Sequence, residues 1–103
     1  MDLDSLKKKL RGFKDKNIII TNHAELQAFV RDIDINEVKK NIRNPEKLVY
    51  AKEQDSIKED EEKYDCYFAY PKHLYHRYVL IIDGKIIIVT IIKINRDWQK
   101  AIG

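Results

Sequence analysis

The densest apolar patterning lies in residues 79–94, VLIIDGKIIIVTIIKI, where two runs rich in valine and isoleucine flank Asp83-Gly84. Asp-Gly suits the two positive-φ positions of a type I′ turn, so the stretch predicts an antiparallel hairpin. In its second arm, residues 86–92, both alternating sets are apolar. Ile86, Ile88, Thr90 and Ile92 form one face, and Ile87, Val89 and Ile91 the other. A strand of that kind is expected in the middle of a sheet with a layer packed on each side.

The rest of the chain reads as strands that join this hairpin and helices that cover it. Leu3, Leu6, Leu10 and Phe13 recur at helical spacing, with Asp2 and Asp4 at the start, lysines later and Gly12 as a C-terminal cap. This predicts an amphipathic helix on one sheet face, opposite two further helices. Residues 18–20 are a short β-branched strand. Asn22, with Glu25 three residues on, predicts the cap of a second helix whose buried stripe is Leu26, Phe29, Val30 and Ile33. Asp34 repeats the cap for a third helix with the stripe Ile35, Val38 and Ile42, stopped by Asn44-Pro45. Strands follow at 48–51, 64–70 and 75–83, with the charged residues 52–63 between the first two. The order predicts an α+β domain with an antiparallel meander. Residues 1–16 form an N-terminal helix packed on a domain spanning 17–103.

Composition changes this picture little. The 103 residues suffice for one core, and 44% hydrophobic with 36% charged residues is a globular balance. No apolar run approaches the roughly 20 residues of a membrane span, and the start lacks the features of a signal peptide, so a cytoplasmic protein without membrane contact is expected. The single Cys66 excludes an internal disulfide. Charge is more informative: residues 1–52, 53–65 and 66–103 carry net +4, −5 and +4. An acidic segment between two basic ones suits a basic surface for phosphate with the acidic loop directed elsewhere.

No glycine-rich phosphate loop or His-Glu-x-x-His occurs, and His73 and His76, three apart, point to opposite faces of a strand, so neither a metal nor a cofactor is expected. The stretch 70–78, YPKHLYHRY, interleaves bases with aromatic rings, as RNA-binding surfaces do. It nominates Lys72, His73, Tyr75 and Tyr78 for RNA contacts. His23 and Arg31 lie on neighbouring stripes of one helix, about 12 Å apart along its axis.

His23-Ala24, Arg31-x-Ile33, Val38, Asn44-Pro45-Glu46, Ile88-Val89-Thr90 and Trp98 together resemble a family of small prokaryotic domains similar in fold to the RelE and BrnT toxins. The pattern departs at Gln27, where the family has Arg, and at Ile92, where it has Tyr. The resemblance implies a RelE-like sheet in β-α-α-β-β-β order and an mRNA endonuclease that works without metal. In such a reaction a base removes the 2′-hydroxyl proton, a cation stabilises the phosphorane and an acid protonates the leaving oxygen. His23 or His76 would move protons, while Arg31, Arg77 and Lys93 would supply charge. RNA or the ribosome, an antitoxin protein and a second copy of the chain are the implied partners. The alternative expectation is a non-catalytic interaction or regulatory module of the same fold.

Overall fold

The computed structural model describes residues 2–56 and 58–95. Within them lie helices α1 (Leu3–Arg11), α2 (Asn22–Val30) and α3 (Ile35–Arg43), and strands β1 (Ile18–Ile20), β2 (Leu48–Gln54), β3 (Glu62–Tyr70), β4 (Leu74–Ile82) and β5 (Ile86–Asn95). The strands form one mixed sheet in the order β1-β5-β4-β3-β2, with β1 parallel to β5 and the other pairs antiparallel. The α+β class stands. The expected purely antiparallel sheet does not, because the helices after β1 return the chain so that β1 lies alongside β5 in the same direction.

Local chemistry explains the boundaries. Asp2 Oδ1 accepts from Ser5 N at 2.7 Å, Thr21 Oγ1 from Ala24 N at 3.1 Å and Asp34 Oδ1 from Asn36 N at 2.8 Å, each satisfying an otherwise orphaned helix donor. The cap of α2 is therefore Thr21 rather than Asn22. That helix ends with Asp32 in the left-handed region at φ 57 and Ile33 N donating to Ala28 O at 2.8 Å, a Schellman closure that folds Ile33 into the core. The β4–β5 connection is three residues long and only Gly84 takes positive φ, at 66°, so the turn is not the expected type I′.

Three expectations about the core are corrected. First, β4 rather than β5 is the middle strand. Second, all three helices share one side of the sheet: Leu6 and Leu10 of α1 lie in the same buried cluster as Ala28 of α2, Val38 and Ile42 of α3, and Phe68, Leu80 and Ile88 of the sheet. Among the described residues no helix lies on the opposite face, where Ile87, Val89 and Ile92 are half-buried. Third, α2 is turned around. Ala24 and Ala28 face the core, while Leu26, Phe29 and Val30 are 61%, 83% and 71% exposed. Small side chains let the helix approach β5 closely, leaving the bulky ones outside. Each large apolar side chain left in water forgoes about 1.5 to 3 kcal/mol of burial.

A β-bulge sets the facing of β5. Leu80 pairs with Ile88 and Val79 with Thr90, so Val89 is an extra residue and the alternation shifts by one. Ile86, Ile88 and Ile91 all reach the core, although 88 and 91 would fall on opposite faces of a regular strand. Beyond β1 the edge of β5 is capped by α2, where Gln27 Oε1 accepts from Ile91 N at 2.9 Å.

Candidate functional site

On the helix-facing side, where β3 ends and β4 begins, the sheet carries a polar network in an otherwise apolar layer. Tyr70, His76 and Tyr78 project towards α3, which presents Glu37 and Asn41, one helical turn apart on one face. Tyr70 OH donates to Glu37 Oε2 at 2.6 Å, and Asn41 Nδ2 donates to Tyr70 OH at 2.7 Å and to Tyr78 OH at 3.0 Å. His76 Nδ1 lies 2.8 Å from Tyr78 OH.

The carboxylate fixes the direction of the bonds next to it. A carboxylate only accepts, so Tyr70 spends its one proton on Glu37 and its oxygen must accept from Asn41. Asn41 therefore directs its amino group, not its carbonyl, at both hydroxyls. Tyr78, whose oxygen accepts from Asn41, lies 2.8 Å from His76 Nδ1, and which of the two donates follows the tautomer of the ring. Burial disfavours the charged ring: His76 is 3% exposed, and desolvation lowers its pKa, with Lys93 adding to the effect and Glu37 opposing it. Burial also pushes the Tyr70 hydroxyl up to about 12 and raises that of Tyr78. The network can hold or pass a proton between a half-buried carboxylate on α3 and a buried imidazole.

The pH consequence follows from the direction of the His76 shift. As pH falls past the ordinary value of 6.5, the unfolded chain takes up a proton that the folded chain resists. Stability is then lost towards acid and insensitive to this group above that value. Urea midpoints measured from about pH 8 to about pH 5 should decline more steeply in the parent than in His76→Gln. Equal slopes would show that His76 titrates alike in both states.

Cations ring this network. Lys47, in the 3-10 turn Pro45–Lys47, places Nζ 5.3 Å from the Tyr70 ring centroid, and Tyr70 in turn lies 4.2 Å, centroid to centroid, from the His76 ring. Lys93 is the β5 partner of His76. Lys72 and His73 form the exposed tip of the β3–β4 turn, both in the left-handed region at φ 64 and 58. That backbone costs non-glycine residues about 1 to 2 kcal/mol each and holds the two side chains at the end of the sheet. The acidic residues Asp55, Glu59, Asp60 and Glu61 sit beyond the other end of β3, about 27 Å away at 3.4 Å per residue. The lysines of the β3–β4 turn and of β5 are thus kept apart from the acidic loop, whereas the basic helix α1 lies beside it, with Lys9 paired to Glu62 and lining one depression with Glu59 and Asp60.

The residues nominated from sequence divide accordingly. His76, Lys93, Lys72 and His73 gather at this end. Tyr78 is there too but fully buried, so it offers no ring face to a base and is corrected from stacking group to network member. Arg77 and Tyr75 point to the opposite face, as the strand alternation requires. There Arg77 makes a two-pronged ion pair with the buried Asp65, Nε to Oδ1 at 2.7 Å and Nη2 to Oδ2 at 2.8 Å, and this bonding raises its pKa. His23 is exposed in the first turn of α2, and Arg31 folds back on Gln27 O at 3.4 Å. Trp98 lies outside the described residues. Tyr70 opens the aromatic stretch 70–78, but Glu37, Asn41 and Lys47 had no distinguishing pattern; a polar Asn41 between Val38 and Ile42 on an apolar stripe is the one signal that could have exposed the network.

Comparison with known proteins found no matching family model, no matching curated protein and no matching solved structure. Among the described residues no group of His, Cys, Asp and Glu is placed to hold a metal ion, and no helix is long and apolar enough to cross a membrane.

Proposed function

We propose that this chain is an RNA-binding protein of the RelE and BrnT toxin-related kind, which takes up single-stranded RNA at the Lys72 end of its sheet. The observation that carries the reading is the cluster of Lys47, Lys72, His73 and Lys93 around the Tyr70 and His76 rings, with the acidic loop at the far end of the strands. Phosphates meet the lysines there, and the acidic pole repels the strand from the far end of the sheet. For cleavage without metal the charge-stabilising role falls to the exposed Lys93, and its strand partner His76, 3% exposed, would move a proton only once RNA binding uncovers its ring. Arg77, held by Asp65 on the other face, and His23 on α2 stand apart from that pair.

Salt dependence tests this. Retention of a labelled single-stranded oligonucleotide should fall with salt by about 0.7 log units per phosphate contact. Lys72→Ala and Lys93→Ala should each remove nearly one contact from the slope, whereas Arg77→Ala should leave it unchanged. Cleavage should persist in EDTA and be lost in His76→Gln. A protein that retains no oligonucleotide at low salt ends this reading. The second reading, a non-catalytic interaction module, draws on a different surface, the outer face of α2.

A further inference from the structure

Leu26, Phe29 and Val30 follow one another at helical spacing on the side of α2 away from the sheet, and no described element covers them. The charge around this stripe runs against that of the whole chain. The protein is net +3, yet residues 18–38 carry Glu25, Asp32, Asp34 and Glu37 against Arg31, with His23 counted as neutral. Glu25, Asp32 and Asp34 are exposed, and Glu25 lines the shallow depression formed by Asn22, Leu26 and Phe29. Arg31 turns its guanidinium back onto its own helix. The patch is apolar with an acidic rim on a basic protein.

We propose that the outer face of α2 docks an amphipathic helix of a partner protein, whose apolar stripe is flanked by lysine or arginine. This rests on the interaction reading and is independent of RNA binding. A helical stripe of spacing i, i+3, i+4 is matched by the ridges of a second helix, and Phe29, the most exposed of the three, is the natural anchor. Charge selects among occupants. In a symmetric contact the patch meets itself and its acids face acids. An anionic lipid surface is repelled in the same way. The chain's own basic amphipathic helix, α1, is already spent, with Leu6 and Leu10 buried.

The test uses the full chain and a fluorescently labelled model helix with leucines at i, i+3, i+4, i+7 spacing and lysines elsewhere. The result expected is saturable binding by anisotropy, weakened roughly tenfold or more by Phe29→Ser with no change in melting temperature. Glu25→Gln combined with Asp32→Asn should weaken binding and flatten its salt dependence, and the same peptide with glutamate for lysine should not bind. Oligonucleotide retention should be unchanged in Phe29→Ser, so failure here and failure of the RNA reading are separate results. The proposal is overturned by an absence of peptide binding, or by binding indifferent to Phe29→Ser. It is equally overturned by a parent dimer in sedimentation that Phe29→Ser dissociates, or by adsorption to phosphatidylglycerol vesicles that Phe29→Ser abolishes.

Discussion

Replacing Leu10 by alanine should lower the unfolding free energy by about 3 to 5 kcal/mol, as expected for a leucine whose removal leaves a cavity the surroundings cannot close. Leu10 is fully buried and, with Leu6, packs into the one core that α3 and the sheet also line. Three neighbours, β2, α3 and the Pro45–Lys47 turn, meet α1, so no single element can relax into the space. Val89→Ala is the informative companion. Sequence periodicity places Val89 on a buried face, but it is the half-exposed extra residue of the bulge, and its truncation should cost less than about 1 kcal/mol. Urea unfolding followed by far-ultraviolet circular dichroism measures both. A Leu10→Ala midpoint indistinguishable from that of a surface substitution would detach α1 from the core.

Asn41→Leu should cost about 1 to 3 kcal/mol although it trades a polar group for an apolar one of similar size. Among the described residues the amide is the group that donates to both the Tyr70 and the Tyr78 oxygens, and a leucine in its place leaves both without that donor. Tyr78→Phe removes the other partner and also the hydroxyl that lies 2.8 Å from His76 Nδ1. Because the two changes break one network, their combined cost should be smaller than the sum by about 0.5 to 3 kcal/mol in a double-mutant cycle. Additivity within the error of the measurement would show that the hydroxyl and the amide act independently.

The contrast between Leu10 and Leu26 marks what the sequence made legible. Apolar spacing located the helices and strands, and Asp2, Asp34 and Pro45 placed their ends, because capping and φ restriction are local effects. Periodicity identifies a stripe without saying what it faces. For α2 the stripe Ala24, Ala28 is as regular as Leu26, Phe29, Val30, and only the closeness of β5 decides that the smaller pair is inside. Likewise, two apolar faces on β5 imply cover on both sides, whereas the described helices all gather on one. The candidate site was half visible. Histidine, lysine and tyrosine in residues 70–78 drew notice, but the strand partner of His76 depends on the bulge, and Asn41 and Glu37 reach it from α3 across a long sequence separation.

That bulge also predicts where the strand tolerates loss of length. Because Val89 and Thr90 together occupy the place of one residue opposite Val79, a chain shortened by one at either position simply becomes regular there. Ile91 stays inside and Lys93 stays beside His76. A single deletion at 92 has no such slack to absorb it and carries Lys93 to the side of Arg77, dismantling the candidate site while changing none of its residues. In β5 a one-residue deletion at one place is silent and three residues later inverts the strand, so single deletions among related chains should concentrate at 89 and 90.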